Sequence, residues 1–221
     1  PSESDLARYW LYMMMVNTNP FQENLAFKLH DHFATATTVL GSANRHYYID
    51  HINLWRHGGT GNLRQLLLDM TRDKAMLVWL DGISNRDGDP NENFGREFFE
   101  LFCLGVDIEY TQADIVEAAR AFTGYRQRYD SDTNLNYIEF DPDRHDHGEK
   151  TVLGQTIPAQ TSGPTETDDY EAMVDIVLTT NEADTGVSRV GQWIVRSLLE
   201  YFCYADPAQN VIDELANDLR D

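Results

Sequence analysis

The sequence predicts a mainly α-helical fold, a multi-helix and bundle-like globular domain with a short β-hairpin or ordered loop excursion around residues 135–157. Helix-capping residues recur along most of the chain, and apolar residues recur at helical spacing between them. The 221 residues are enough to bury a substantial core, and their composition is ordinary for a globular protein. We therefore expect a single domain over residues 1–221, with the excursion at 125–167 inside it.

The first half of the chain carries clear helix signals. Ser4 precedes an apolar run to Val16, and Asn19 followed by Pro20 supplies an N-cap and a preset first turn. Glycines at 58, 59 and 61 interrupt the helical pattern, and a polar loop is predicted at 82–90. The helices predicted here are 4–16, 20–34, 44–54 and, as one or two helices, 62–81.

The best-marked helix is predicted over Asn91–Leu104. Asn91 is a good N-cap, and Gly105 is typical of the residue that follows a helix C-cap. The next helix begins with a capping box of Thr111 and Asp114 and ends before Gly124. Two adjacent helices are thus predicted with defined ends.

The pattern changes in the second half of the chain. Leu135, Tyr137 and Ile138 lie near Phe140, and a polar turn at 141–150 follows them, which indicates the hairpin or ordered excursion. Residues 159–167 are rich in Thr, Pro and Gly and are predicted to form a linker. Three further helices are predicted at 168–178, 188–204 and 207–219.

The charge balance excludes some classes of function. The chain has 37 acidic and 17 basic residues, a formal net charge of −20 that repels nucleic acid and anionic membrane surfaces. No run of 18 apolar residues is present, so no membrane span is expected. The start at Pro1 shows no signal peptide. Nucleic acid is therefore not an expected partner.

Both cysteines lie in apolar helical patterns. Cys103 is flanked by Phe102 and Leu104, and Cys203 by Phe202 and Tyr204. We expect both to be small buried side chains, the usual state of a free cysteine in such a pattern. A disulfide between them stays possible, because spacing alone does not exclude it.

Glu97 is the carboxylate that most needs an explanation. At about 100° per residue, it projects between Leu101 and Leu104 on an apolar side of the predicted helix. An ionised carboxylate there is costly unless it is paired, hydrogen-bonded or bound to a cation. Three interpretations stay open: an ion pair with an arginine such as Arg96 or Arg120, a metal or substrate role, or ordinary exposure to solvent.

Two groups of histidines could contribute to a site. In the second helix, His32 projects onto an apolar face and His30 onto the other side, so a regular helix cannot aim both at one metal. A buried structural histidine is the alternative for His32. In the predicted turn, His145 and Asp146 could converge with other groups, because the chain there is not helical. Imidazole and carboxylate ligands suit zinc, manganese or iron. A solvated charged loop is the alternative there.

Four motifs, in this order and spacing, resemble the bacterial family catalogued as domain of unknown function 1800. They are KLHDHFAT at 28–35, DPNENFGREFFELFCLGV at 89–106, YTQAD at 110–114 leading to ARAFTGY at 119–125, and HDHGEK at 145–150. The chain departs from the family pattern at Asp31, where asparagine is usual, and at Gly95, where alanine is usual. Gly95 is expected to weaken its helix by about 0.5–1 kcal/mol relative to alanine.

The resemblance implies a setting and a partner rather than a mechanism. Family members are usually longer and often carry an export signal, which implies a partial chain from an extracytoplasmic protein, periplasmic or secreted. The family is often encoded beside a protein that resembles the sulfatase and alkaline-phosphatase superfamily, which implies such a partner. The family supplies no established catalytic residues for this chain.

The leading hypothesis from the sequence is an exported, metal-dependent enzyme of hydrolase type that uses a divalent ion of unspecified identity. The predicted metal ligands are His32, Glu97, His145 and Asp146. The predicted acid–base or outer-shell residues are His30 and Glu100. The competing hypothesis is a non-enzymatic extracytoplasmic interaction or assembly protein, in which the same groups form a structural polar network.

A carbohydrate-binding module is a third, less favoured hypothesis. Its aromatic residues would come from the tryptophans at 10, 55, 79 and 193. Most of these tryptophans fall in helical core patterns, where burial in the core is the more common role.

Overall fold

The computed structural model describes residues 2–106, 108, 110–160 and 168–220, apart from the side chains of residues 3 and 220. This part of the chain is mainly helical, with eleven α-helices and two small two-stranded antiparallel sheets, which confirms the predicted fold class. The helices are α1 Glu3–Val16, α2 Pro20–His32, α3 Thr37–Asn44, α4 His46–Gly58, α5 Leu63–Thr71, α6 Lys74–Trp79, α7 Glu92–Glu97, α8 Gln112–Ala121, α9 Asp168–Thr179, α10 Arg189–Phe202 and α11 Gln209–Arg220. A π-helix, Phe98–Cys103, continues α7, and a 3-10 helix covers Pro142–Arg144.

Most of the predicted helix starts are confirmed. The side chain of Asn19 accepts a hydrogen bond from a backbone N–H of α2, and Asn91 does the same for α7. Thr111 and Asp114 form the predicted capping box of α8. The first helix begins earlier than predicted, because Ser2 rather than Ser4 is its N-cap.

Helix α3 was not predicted. Its N-cap position is Ala36, which offers no side-chain hydrogen bond, so the usual capping signal is missing. Gly41, with a φ of 68°, interrupts the helix with a kink. The structure therefore starts α4 two residues later than the predicted start at 44 and places a separate helix before it.

The predicted excursion is made of two hairpins. Strand β1, Tyr125–Asp130, pairs with β2, Leu135–Phe140, and β3, Lys150–Val152, pairs with β4, Gln155–Ile157. The first hairpin begins at 125, earlier than the 135 predicted for the strand signal, because β1 is polar and lacks an apolar alternation. From residue 161 onward, the predicted linker lies outside the described residues.

Ion pairs across the first hairpin explain its polar strand. Arg126 and Arg128 of β1 both donate to the Glu139 carboxylate of β2, at 3.0 and 2.6 Å. Cross-strand pairs of opposite charge stabilise a hairpin where apolar pairs are few. Strand β1 is therefore specified by its partner strand, which lies outside any short sequence window.

The core is aromatic, and its helices pack closely around it. Phe33 stacks on Trp55 with ring centroids 4.7 Å apart, which joins α2 and α4. On the other side, Gly95 brings α7 against α8, since a Cβ at that position would lie 3.0 Å from the backbone nitrogen of Ala119. The expected helix-weakening effect of Gly95 is thus offset by a close helix contact.

The cysteines differ from each other. Cys103 is fully buried, as predicted, and burial raises the pKa of its thiol. The prediction of burial is wrong for Cys203, which is exposed just after the end of α10. Both are free thiols.

Within the described residues, no helix has the length and apolar character needed to cross a membrane.

Candidate functional site

The helix predicted over Asn91–Leu104 changes type after Glu97. From Phe98 to Cys103 it is a π-helix, and the Leu104 N–H donates to the Phe99 carbonyl, 2.8 Å away and five residues back. A turn of this kind is wider than an α-helical turn, so the projection at 100° per residue fails beyond Glu97. Leu104 is buried, whereas Leu101 is 48% exposed.

Glu97 lines a cavity of about 580 Å³ between α2, α7, the π-helix and α10. Its walls carry both polar and aromatic side chains. Those with functional groups are Lys28, Asp31, His32, Trp79, Asn93, Glu97 and Ser197. Of this set, only His32 and Glu97 were predicted as site residues, whereas Asp31 was noted only as a departure from the family pattern.

The Glu97 carboxyl has no hydrogen bond or ion pair with any described residue. The arginines that were expected to pair with it have other partners: Arg96 lies 3.0 Å from Glu92 and 3.3 Å from Glu100, and Arg120 pairs elsewhere. Burial raises the pKa of Glu97, the nearby charge of Glu100 raises it further, and Arg96 opposes the rise. The site therefore contains a half-buried carboxyl that is harder to ionise than usual.

His32 is held in the cavity wall by the π-helix. Its Nε2 atom lies 3.0 Å from the carbonyl oxygen of Phe102. A carbonyl only accepts, so Nε2 carries the hydrogen, and in the neutral ring Nδ1 has the lone pair. Burial lowers the pKa of His32, which favours that neutral ring, although the carbonyl contact opposes the effect. Nδ1 makes no hydrogen bond within the described part of the chain.

Side chains from two other helices satisfy the carbonyls at the end of the π-helix. The last carbonyls of a helix have no partner within it. His32 of α2 donates to the Phe102 carbonyl, and the Trp193 indole of α10 donates to the Leu101 carbonyl at 2.8 Å. The end of the π-helix therefore positions a histidine in the cavity of Glu97 and a tryptophan next to that histidine, with ring centroids 6.5 Å apart.

His145 and Asp146 lie in a different group of side chains. His145 is buried, with Nδ1 donating to the Thr123 carbonyl at 2.9 Å and Nε2 lying 3.3 Å from Asp169. Asp146 accepts from Arg120 at 2.7 Å. Neither lines the cavity of Glu97.

A buried lysine completes that second group, which we call the Lys150 network: Arg120, His145, Asp146, Lys150 and Asp169. The Lys150 ammonium lies 2.7 Å from the Asp169 carboxylate and donates to the Gly148 carbonyl at 2.8 Å. Burial alone would raise the pKa of Asp169, but His145 and Lys150 outweigh it and lower the pKa. Every charge here has an opposite charge beside it.

His30 belongs to a third group, a hydrogen-bonded chain that we call the His51 chain. Tyr48 Oη lies 3.2 Å from His30 Nε2, His30 Nδ1 lies 3.1 Å from His51 Nε2, and His51 Nδ1 lies 2.7 Å from Asp73 Oδ2. The Asp73 carboxylate only accepts, so His51 Nδ1 donates to Asp73 and His30 Nδ1 donates to His51 Nε2. The Tyr48 hydroxyl then donates to His30 Nε2. The pKa of His30 is lowered to about 4, chiefly by burial and also by the charge of His51, while the charges of Asp31 and Asp73 oppose the shift.

No role was predicted for His51, although it is the centre of the His51 chain. His51 is fully buried and also accepts from the Trp55 indole at 3.0 Å. Its carboxylate partner is 22 residues away, on the cap of α6, so no local motif links them. The predicted separation of His30 and His32 onto opposite sides of α2 agrees with the contacts of both rings.

The structure does not bring together the four residues predicted to hold a metal. His32 and Glu97 share a cavity, whereas His145 and Asp146 are in the Lys150 network. Glu100 lies beside Glu97 but pairs with Arg96. In the described ranges, no group of three or more His, Cys, Asp or Glu side chains is arranged to hold a metal ion.

These observations define a mainly helical protein with a cavity lined by Glu97, whose carboxyl has no partner among the described residues. The family model described as "Protein of unknown function (DUF1800)" matches residues 2–221, and the chain belongs to that family. The resemblance of the four motifs is thereby confirmed. Comparisons with curated proteins and with solved structures give no match.

Proposed function

We propose that the chain is an enzyme of hydrolase type in which the Glu97 carboxyl moves a proton to a bound substrate. One observation carries the proposal: Glu97 faces a cavity, has no partner among the described residues, and has a raised pKa. A carboxyl of this kind keeps its proton at a pH where an ordinary glutamate has lost it, so it can protonate a leaving group. Groups with such shifts concentrate at functional sites.

Asp31 is the second carboxyl of this cavity, and its surroundings differ from those of Glu97. Its side chain is largely exposed and lies 3.0 Å from the Lys28 ammonium. Two carboxyls in unlike environments are suited to opposite tasks, one as proton donor and the other as proton acceptor. We assign Glu97 as the acid and Asp31 as the base.

Serine chemistry has less support in the same cavity. Ser197 lines the wall together with His32, as a nucleophile and its base would. However, His32 Nε2 is bound to the Phe102 carbonyl, and Ser197 has no hydrogen bond to His32 among the contacts of the described residues. The arrangement favours chemistry at the carboxyls.

The alternative that we propose for this cavity is catalysis by a bound divalent metal ion. His32 Nδ1 and the Glu97 carboxylate would be its protein ligands, and water or substrate would complete the coordination. A metal-binding histidine usually donates its other N–H to a carbonyl or carboxylate, as His32 does. In this alternative Glu97 is ionised, so the two chemistries exclude each other.

The competing proposal is a non-enzymatic interaction or assembly protein. The Lys150 network supports it, because a set of fully paired charges fixes α8 against α9 without offering a free group. It also needs an arginine partner for Glu97, which the described residues do not supply. An extracytoplasmic location and a sulfatase-like partner remain proposals that rest on the family resemblance.

The test is to compare Glu97→Gln with wild type on a panel of chromogenic glycosides, esters and phosphate esters. Glutamine keeps the shape of the side chain and removes the acid, so activity should fall by about 100-fold or more. Glu139→Gln is the matched control, because Glu139 lies on β2 and pairs with Arg126 and Arg128. Full activity of Glu97→Gln on a substrate that the wild type cleaves would contradict the proposal.

Elemental analysis of the purified protein distinguishes the two chemistries. Acid–base catalysis by Glu97 predicts the same metal content in wild type, Glu97→Gln and His32→Ala. The metal alternative predicts about one divalent ion per chain in the wild type and its loss in both variants. Activity that survives a chelator supports the acid–base assignment.

A further inference from the structure

We propose that the substrate is a neutral oligosaccharide or polysaccharide, bound in a groove that runs from Glu97 past His32 to Trp193. This inference rests on the proposed function and names the substrate class for the same site. It starts from the shape of the surface along α10 rather than from the acid itself.

The cavity of Glu97 is the first of three that adjoin one another along α10. The second, of about 120 Å³, shares His32 and Ser197 with the first. The third, of about 250 Å³, shares Trp193 and Arg196 with the second. The lining of α10 extends from Arg189 to Glu200, about 16 Å along the helix axis at 1.5 Å per residue. An extended groove of this kind suits a chain of linked units better than one compact molecule.

Two tryptophans supply flat faces along this groove. Trp79 lines the first cavity, and its indole N–H has no hydrogen bond within the described residues, so it can donate to a ligand. Trp193 lines the second and third cavities. A sugar ring presents a face of C–H groups that stacks on an indole, while its hydroxyls need hydrogen bonds at the rim.

Trp193 is fixed in place before any ligand arrives. Its indole donates to the Leu101 carbonyl, and its six-membered ring packs so closely on Gly105 that a Cβ there would lie 3.3 Å from two ring atoms. A rigid aromatic surface binds a ligand with little loss of side-chain freedom. This is how a stacking platform is expected to be built.

The rest of the lining suits hydroxyl groups. Amide and hydroxyl side chains, which both donate and accept, come from Asn93, Gln192, Ser197 and Gln209. Basic groups at Lys28 and Arg196 alternate with acidic groups at Asp31 and Glu200, so the groove has no single sign of charge. The net charge of −20 disfavours a polyanion, and the charged, amide and hydroxyl side chains along the walls disfavour a purely apolar ligand. A neutral glycan meets both conditions.

The reaction that follows is hydrolysis of a glycosidic bond. The Glu97 carboxyl gives its proton to the bridging oxygen as the bond from that oxygen to the anomeric carbon breaks. Water adds to the anomeric carbon and gives a proton to the Asp31 carboxylate. One water is consumed and two hydroxyl ends are formed, and exchange of protons with solvent restores Glu97 as the acid and Asp31 as the base.

Binding is measured on Glu97→Gln, so that turnover does not interfere. The probes are neutral gluco-, xylo-, manno- and chito-oligosaccharides of increasing length, followed by calorimetry. We expect one series to bind, with affinity that rises with length. Trp193→Ala and Trp79→Ala should each weaken it by about tenfold. Tyr129→Ala is the control, because Tyr129 is an exposed aromatic on β1 outside the groove.

A second variant protects the test against misfolding of the tryptophan variants. Within the described residues, the Arg196 guanidinium hydrogen-bonds only to the Gln209 side chain, at 2.6 Å, so Arg196→Ala should fold normally. It should reduce the affinity for long oligosaccharides and leave that for short ones unchanged, because it lies away from Glu97 along the groove.

The outcomes separate this inference from the proposed function. If esters or phosphate esters are cleaved in a Glu97-dependent manner and no neutral glycan binds, the proposed substrate class is wrong and the proposed hydrolase function is supported. If glycans bind through Trp79 and Trp193 but the wild type cleaves none, the proposed glycan-binding groove is supported and the proposed hydrolase function is wrong. Tighter binding of an acidic glycan than of every neutral one overturns the inference.

Discussion

Lys150 and Glu97 both have an ionisable group that is at least partly buried, yet the surroundings of the two groups are opposite. The Lys150 ammonium is fully buried and has Asp169 at 2.7 Å, with two carbonyl oxygens as further acceptors. Glu97 lines an open cavity and has no partner among the described residues. In one region the fold satisfies each charge. In the other it leaves a carboxyl available.

This difference separates stabilising groups from functional ones. A buried group that is fully paired contributes a fixed geometry, and removing its partner leaves an uncompensated charge. A group that is partly buried without a partner makes the fold less stable than it could be, a condition common at functional sites.

Lys150→Met is expected to have the largest effect on stability. Methionine fills a similar volume but leaves the Asp169 carboxylate buried beside His145 without its nearest cation. The free energy of unfolding should fall by about 3–5 kcal/mol. Urea denaturation at neutral pH measures this change.

The double variant Lys150→Met with Asp169→Leu is the control for that loss. It removes both charges, so more than half of the lost stability should return. A loss below about 1 kcal/mol in the single variant would show that the Lys150 network does not depend on pairing.

Acid pH should destabilise the protein through the His51 chain. The folded pKa of His30 is lowered to about 4, from an ordinary value of 6.5, so the unfolded chain binds the proton more readily. The stability from the neutral ring is complete above pH 6.5 and is lost as the pH falls toward 4. The loss should approach about 3 kcal/mol for this shift.

The measurement is the free energy of unfolding of wild type and His30→Gln between pH 7 and pH 4. Glutamine does not titrate in this range, so the variant should lose less stability on acidification than the wild type. Equal slopes for both proteins would remove His30 as the cause.

Gly95→Ala tests the contact between α7 and α8, which lies between the two regions. Helix propensity alone predicts a gain of about 0.5–1 kcal/mol. The structure predicts a net loss of about 1 kcal/mol, because the new Cβ would press on the backbone of Ala119 and the side chain of Ala118. The sign of the change in the thermal unfolding temperature decides between the two expectations. Gly148→Ala cannot serve as a control for this variant, because a Cβ at Gly148 would meet the movable Arg120 side chain rather than backbone.

Glu97→Gln should have the smallest effect on stability, and it should be favourable. A raised folded pKa adds stability at low pH that is lost as the pH rises through the raised value. The neutral glutamine avoids that loss, so the free energy of unfolding of Glu97→Gln should exceed that of the wild type at pH 8 and equal it at pH 4. The gain at pH 8 should be less than about 1 kcal/mol, because the site is partly solvated.

Glu100→Gln is the matched control for this gain. Glu100 is on the adjacent turn but pairs with Arg96 at 3.3 Å. Its replacement should give no gain at either pH. A gain at pH 8 in both variants would indicate a general effect of the net charge of −20 rather than a property of Glu97.

Local signals in the sequence were sufficient for much of the fold. The caps at Asn19, Asn91 and Thr111 were predictable because a capping side chain acts within three residues of its own position. The unusual position of Glu97 was predictable as well, because an acidic side chain on an apolar helix face is unusual wherever it occurs. These inferences depend on neighbours in the chain.

What could not be predicted depends on contacts between distant segments. His51 meets Asp73 only after α4 and α6 pack together, and β1 is recognisable only beside Glu139 of β2. The convergence of His145 with Glu97 was expected from residue type alone, but Arg120 holds Asp146 in another network. Residue chemistry suggested possible ligands, whereas the packing of helices decided which groups meet.

The π-helix has a consequence for comparing this chain with its relatives. A turn closed by a bond across five residues holds one more residue than an α-helical turn, so Phe98–Cys103 is where a helix can lose a single residue without breaking. Such a deletion would restore an ordinary helix, rotate everything after Glu97, and withdraw the carbonyl that holds His32. A gap of one position in this segment would therefore mark a relative whose histidine is no longer anchored beside its acid.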